Sequence, residues 1–278
     1  MSPTVFLGGG RITSALVAGL RRAGYRTPIV VHDRHPEKLR DLKRKYGVRA
    51  EASLEVALAH AQSGLLIFAV RPDATLLLAE EVSRITSTWQ DSGPRSSPPN
   101  FTACSLAAGI PLAQLRAAFA PPIRWARAMP SPACRSGRGL TAVTYDRGIT
   151  KSGRMRVKGL FARVGPVLEI PESQFDVFSV TYSCSHGYHA LDTLARAAQK
   201  AGLDRQTAFT AAAHALADGI LGWREGDLPL DALLAEAATP GGIAETVIKT
   251  MNAHGHPRMV ERGLRAGIAR ARKNSRRS

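Results

Sequence analysis

The sequence predicts an α/β protein, with a doubly wound N-terminal domain of parallel strands followed by an all-α domain. Three observations predict it. Short apolar runs bounded by turn residues alternate with helical patterns as far as Ile170. A glycine-rich turn, Gly8-Gly9-Gly10-Arg11-Ile12-Thr13, joins the first apolar run to the first helical pattern. After Ile170 the strand signals stop, and Ala- and Leu-rich helical periods take over.

The apolar runs at 4–8, 28–33, 65–70, 101–106, 124–129, 140–145 and 167–170 read as buried strands. Helical patterns lie between them at 12–23, 36–46, 54–61, 74–86, 112–118 and 152–164. That alternation implies parallel pairing through right-handed crossovers. The stretch DSGPRSSPP at 91–99 reads as a surface loop. Further on, helices are expected at 175–201, 204–223, 230–237, 243–253 and 257–272, punctuated by Gly202, Gly226, the run Pro240-Gly241-Gly242 and Gly255. The domains therefore read as 1–170, 171–272 and a basic tail at 273–278. The run FTAAAHALADGILGW carries more apolar surface than one small helical domain covers, so a homodimer or higher homo-oligomer through this domain is expected.

Composition narrows the function classes. The net charge is +16, yet much of it is local: from Arg258 onward there are eight Lys/Arg against one Glu. A second cluster comprises Lys151, Arg154, Arg156 and Lys158. Neither cluster has interleaved aromatics or zinc spacing, which favours a solvated surface over a nucleic-acid partner. No apolar run approaches the roughly 18 residues of a membrane span, and no signal-peptide pattern opens the chain, so a cytoplasmic protein without a membrane partner is expected. Three scattered cysteines, Cys104, Cys134 and Cys184, suit free thiols in a reducing compartment. The pairs His186/His189 and His254/His256 lack further ligands, so no metal is expected.

In a βαβ dinucleotide site the first glycine permits a tight turn, the second lets the pyrophosphate approach, and the third lets helix pack closely on strand. Gly8 and Gly10 meet the first two demands, while Thr13 stands at the third. The expectation is a Rossmann-type domain whose first helix points its amides at a phosphate. The second strand ends VVHDRH, which offers Asp33 for a ribose hydroxyl and Arg34 for a 2′-phosphate. Arg34 and its flanking histidines favour NADP, with NAD as the alternative. Asp33 as a helix N-cap supported by Glu37 fits either cofactor.

Taken in order, several segments resemble the pyrroline-5-carboxylate reductase family along nearly the whole chain. They are FLGGGRITSAL, VHDRHPEKL, AVRPD, CSLAAGI, RAMPSPACRSGRGLTAV, LFARVGPVLEIPESQFD and TPGGI. The resemblance implies an oxidoreductase that reduces a cyclic imine with NAD(P)H, either pyrroline-5-carboxylate to proline or a related non-standard imine. It implies a cofactor lying on Gly8, Gly10, Arg11, Ile12, Arg34, Ala69, Val70, Arg71, Pro72, Ala108 and Gly109, with Met129 and Pro130 flanking the nicotinamide. The imine would enter between the nicotinamide and the PGG helix start of the partner subunit. Gly241 and Gly242 would offer free amides to its carboxylate.

The chain departs from the family pattern at three places. MPNTP becomes Met129-Pro130-Ser131-Pro132-Ala133. SGSGPAY becomes the segment from Tyr182 to Tyr188, where Ser183 keeps a small polar residue. SPGGTT becomes Thr239-Pro240-Gly241-Gly242-Ile243-Ala244, which removes two hydroxyls where the family hydrogen-bonds its substrate. Losing one such bond costs on the order of 1–3 kcal/mol. These changes point to an altered substrate pocket containing Ser131, Ser183, Gly241, Gly242, Ile243 and Ala244. His186 or Tyr188 would then donate a proton to the product nitrogen. A β-hydroxyacid dehydrogenase shares the architecture but needs a catalytic lysine, and Lys200 lies at the far end of its helix. A non-catalytic dinucleotide-binding sensor or assembly protein is the alternative from another class.

Overall fold

The computed structural model describes residues 3–61, 64–89, 101–119 and 123–274. The expected 91–99 loop lies outside them. The chain forms two compact units, Met1–Tyr182 with Gly267–Ser278, and Ser183–Ala266. This division differs from a boundary after Ile170: helix 172–181 and the end of the last helix pack with the sheet. Lys273 and Asn274 are helical, and the rest of the expected basic tail lies outside the described residues.

The first unit is built on an eight-stranded sheet. Its strands are β1 (Thr4–Leu7), β2 (Ile29–His32), β3 (Arg49–Glu51), β4 (Leu65–Phe68), β5 (Thr102–Ser105), β6 (Arg124–Met129), β7 (Thr141–Tyr145) and β8 (Val167–Glu169). Their order is β3-β2-β1-β4-β5-β6-β7-β8. Strands β3 to β6 run parallel, with β1 Val5 opposite Val30 of β2 and Leu66 of β4. β7 is antiparallel to β6, contrary to the all-parallel expectation. The link between them, 130–140, holds only a short 3-10 turn (Pro132–Ser136) and is too short for the usual helical crossover. β3 was not expected from the sequence. It is a three-residue edge strand, RAE, with no apolar run to announce it.

Helices cover both faces: α1 (Arg11–Arg22), α2 (Pro36–Tyr46), α3 (Leu54–Ala59), α4 (Pro72–Ser87), α5 (Leu112–Ala118), α6 (Lys151–Phe161) and α7 (Glu172–Thr181). Alternate strand residues feed two apolar layers. Phe6, Val31 and Ile67 join Leu16 and Leu20 on one side, while Val5, Leu66 and Trp125 join Val82 and Leu115 on the other. Sequence chemistry sets the helix ends, as in α2: Pro36 opens it at a position that needs no N–H donor, and Gly47 stops it at φ 62°.

The second unit contains α8 (Cys184–Lys200), α9 (Arg205–Glu225), α10 (Leu230–Ala237), α11 (Ile243–Ala253) and the first part of α12 (His256–Asn274). The expected single helix over 175–201 is broken. α7 ends at Thr181, Tyr182 leaves helical geometry at ψ 34°, and Ser183 caps α8 by accepting the Ser185 amide. Ile220, Trp223, Leu230, Leu234, Val247 and Met251 are exposed in this chain. No helix among the described residues is long and apolar enough to cross a membrane.

Candidate cofactor and substrate site

The sequence-predicted cofactor segments follow the C-terminal ends of five adjacent parallel strands, β2, β1, β4, β5 and β6. Order reverses between β1 and β4, and such a reversal opens a crevice at the carboxyl edge of the sheet. Gly8, at φ +111°, turns the chain out of β1; a Cβ there would lie 2.6 Å from the Ala69 carbonyl oxygen. Gly10 caps α1, and nothing lies within 4 Å of a Cβ built on it. One glycine is required by the protein's own backbone, the other leaves open space for a ligand. The amides of Gly10, Arg11 and Ile12 have no partner among the described residues, and Arg11 is exposed. Together with the helix dipole they form an anion site.

Thr13 resolves the missing third glycine. Its fully buried hydroxyl donates to the Gly8 carbonyl at 2.5 Å and braces the turn from behind. The close helix approach occurs instead at Gly19, where a Cβ would overlap the Cys134 carbonyl.

Asp33 does not present a free carboxylate to a ribose. One oxygen accepts the Gly9 amide at 2.7 Å; the other accepts the His35 amide at 2.9 Å and meets His35 Nδ1 at 2.7 Å. Burial pushes this carboxyl up, but the Gly9 and His35 hydrogen bonds outweigh it and hold the group below the usual carboxylate range. Nor is Asp33 the N-cap of α2, a position that His35 takes without a side-chain bond. Arg34 beside it is exposed and makes no ion pair among the described residues.

Ala69 and Val70 follow β4, Arg71 caps α4 with Pro72 as its first residue, and Arg71 meets Asp73 at 3.2 Å. Ala108 and Gly109 turn the chain after β5, with Gly109 at φ +78°. A Cβ on Gly109 would overlap the Ala271 carbonyl of α12, and Asn274 Nδ2 donates to the Ala108 carbonyl at 3.3 Å. Met129 and Pro130 close the row. Ser131 then caps the 3-10 turn by accepting the Ala133 amide, and its Oγ lies 3.0 Å from Tyr182 Oη.

Sequence reasoning missed Arg127. Its guanidinium, inside the apolar strand β6, meets Glu172 at 2.8 Å and Asp176 at 3.2 Å and lies 4.1 Å from the Phe175 ring centroid. Glu172 also accepts the Leu112 amide at 2.9 Å. A charged residue at the centre of a buried strand was the available signal, since arginine is almost never fully buried without a partner.

Within the second unit, Ser183 is engaged as the α8 cap, Tyr188 is 70% exposed and His186 is exposed. Gly241 and Gly242 do not offer the free amides expected of them. The Gly241 amide donates to Glu245 Oε2 at 2.8 Å and the Gly242 amide to the Thr239 carbonyl at 2.9 Å. Among the described residues, the amides of Ile243 and Ala244 at this helix start have no partner. Lys249 and the Gly241 amide hold the Glu245 carboxyl below its ordinary range.

Comparison with known proteins bears directly on this arrangement. The description "pyrroline-5-carboxylate reductase dimerisation" matches residues 172–274, and "NADP oxidoreductase coenzyme F420-dependent" matches residues 4–91. The pyrroline-5-carboxylate reductase of Thermus thermophilus is 30% identical over 272 residues, covering 96% of this chain and 93% of the relative. The chain belongs to the pyrroline-5-carboxylate reductase family. The Mycobacterium tuberculosis reductase of that name is 27% identical over 98% of this chain and 96% of its own length. Among solved structures, the Plasmodium falciparum pyrroline carboxylate reductase with NADP bound superposes with a TM-score of 0.83 at 18% identity, covering 98% of each chain. The Coxiella burnetii reductase also gives 0.83, at 23% identity, covering 99% of this chain and 98% of its own. These two share the fold.

Family membership makes the protein an NAD(P)H-dependent oxidoreductase acting on a C=N bond, and a non-catalytic sensor is not favoured. The exposed apolar side chains of α9 to α11 fall within the dimerisation match, which supports homo-oligomerisation. The open Gly10 and the unpartnered amides after it suit a dinucleotide pyrophosphate.

Proposed function

We propose that this protein reduces pyrroline-5-carboxylate to proline with NADPH as hydride donor. The observation that best supports it is the row of turns at one sheet edge, from Arg34 through the free α1 amides to Met129 and Pro130. When bound, NADPH supplies the hydride. The amides of Gly10, Arg11 and Ile12 would hold its pyrophosphate, Arg34 would meet the 2′-phosphate, and the segments 69–72 and 108–109 would line the rest of the dinucleotide, with Met129 and Pro130 beside the nicotinamide. Attack on a protonated imine removes positive charge, so orientation matters more than a strong acid. Within the second unit, the amides of Ile243 and Ala244 at the α11 start are the kind of helix N-terminus that a substrate carboxylate would take. A cytoplasmic setting belongs to the same proposal, and the free thiols of Cys104 and Cys134 are in keeping with a reducing compartment.

Following NADPH oxidation with pyrroline-5-carboxylate beside a panel of uncharged cyclic imines tests the reading. Turnover is expected with the imino acid; turnover confined to uncharged imines would replace the substrate. Arg34→Ala is expected to lower kcat/KM for NADPH by roughly tenfold to a hundredfold, the worth of one charge-assisted hydrogen bond. With NADH the same variant should stay within about twofold of the parent, because no 2′-phosphate is lost.

A further inference from the structure

Two of this chain's departures from the family pattern touch each other. Ser131 stands where the family reads Asn, and Tyr182 stands at the first position of the segment that the family reads SGSGPAY. Their hydroxyl oxygens lie 3.0 Å apart, across 51 residues of sequence. By that pattern a side chain has shortened at 131, from Asn to Ser, and lengthened at 182, from Ser to Tyr, so the hydroxyl at 182 is carried on a ring.

Ser131 is 3% exposed and its Oγ accepts the Ala133 amide at 3.3 Å. Either hydroxyl can donate in the Ser131–Tyr182 contact, and Tyr182 Oη, with one proton and two lone pairs, keeps hydrogen-bonding capacity for a ligand as well. The position is fixed. Tyr182 follows α7, its ring packs on Phe178 with centroids 5.2 Å apart, and α7 is anchored to β6 by the two carboxylates on Arg127. Tyr182 is half-exposed beside Ser131, which follows the Met129 and Pro130 that the proposed function sets next to the nicotinamide.

We propose that Tyr182, held by Ser131, is the substrate-contacting hydroxyl of this reductase and hydrogen-bonds the ring of a cyclic imine beside the nicotinamide. The inference rests on the reading of the chain as an imine reductase. It gives the protein a polar contact in the first unit that does not depend on the hydroxyls missing at Ile243 and Ala244. Tyr182 thereby helps decide which imine is accepted, because a ring-borne hydroxyl reaches farther than a serine and presents an apolar face to an apolar ring.

Steady-state kinetics of the full-length protein with NADPH and pyrroline-5-carboxylate provides the test. Tyr182→Phe keeps the ring on Phe178 and removes only the hydroxyl. It is expected to raise KM for the imine about tenfold, while KM for NADPH stays unchanged and the melting temperature falls by no more than about 4 °C, the cost of the lost Ser131 hydrogen bond. Ser131→Ala should raise the imine KM less, and the double variant should be no worse than Tyr182→Phe alone, since the serine acts through the tyrosine. Parent turnover with an unchanged imine KM in Tyr182→Phe overturns this inference and leaves the proposed reaction standing. An equal rise in both KM values, or a melting temperature lowered by more than about 4 °C, reassigns the contact to structure and also overturns it. Absence of parent turnover overturns the proposed reaction and this inference with it.

Discussion

Neutralising Glu172 and Asp176 together, as Glu172→Gln with Asp176→Asn, is expected to destabilise the protein by about 3 kcal/mol and lower its melting temperature by roughly 10 °C. The cause is Arg127, whose side chain is 2% exposed and loses both anionic partners at once. Glu172 and Asp176 keep 34% and 26% exposure, so they return to water at little cost and the stranded cation carries the loss. Phe175 beneath the guanidinium offsets part of it through its ring face. Adding Arg127→Met to the double variant should recover most of the stability, because an apolar side chain of similar length needs no counter-charge. Thermal unfolding of the three proteins decides the matter. A double variant melting within about 2 °C of the parent would show that the pairs contribute little.

Gly8→Ala and Gly10→Ala are expected to fail in different ways. The first forces a side chain into φ +111° and places its Cβ against the Ala69 carbonyl, costing at least about 2 kcal/mol. The β1 turn must move, so NADPH affinity and melting temperature fall together. Gly10→Ala meets nothing within 4 Å and sits at φ −75°, so the melting temperature should hold. Its methyl group enters the space where a pyrophosphate would approach, and NADPH affinity should drop by roughly a hundredfold. Cofactor titration by nicotinamide fluorescence, paired with melting curves, separates the two. Equal stability losses in both variants would contradict the assignment of backbone packing to Gly8 and ligand access to Gly10.

Features carried by local chemistry were legible in the sequence. The apolar runs of β1, β2 and β4, the Pro-to-Gly limits of α2 and the glycine turn before α1 each announce themselves within a few residues. What escaped depends on contacts between distant residues. β3 is polar and exists only because β2 offers it an edge, and the direction of β7 follows from how little chain separates it from β6. Periodicity runs straight through the break at Tyr182, and only Ser183 as a cap could have signalled it. The placement of Gly8 and Gly10 in the turn before α1, and of Arg34 after β2, could be read from position alone. The turning of Asp33 onto Gly9, the engagement of Gly241 by Glu245 and the meeting of Ser131 with Tyr182 could not, because each requires knowing which of several polar partners is near.

The contact of Gly109 with Ala271 bears on how the first unit loosens. The chain leaves this unit after Tyr182 and re-enters it at Gly267, so the turn after β5 is held by a segment remote in sequence. The end of α12 supplies both the backbone that presses on Gly109 and the Asn274 amide that reaches the Ala108 carbonyl. Fraying of that helix end and loosening of the Ala108–Gly109 turn are therefore a single event, in which two distant stretches of chain lose order together.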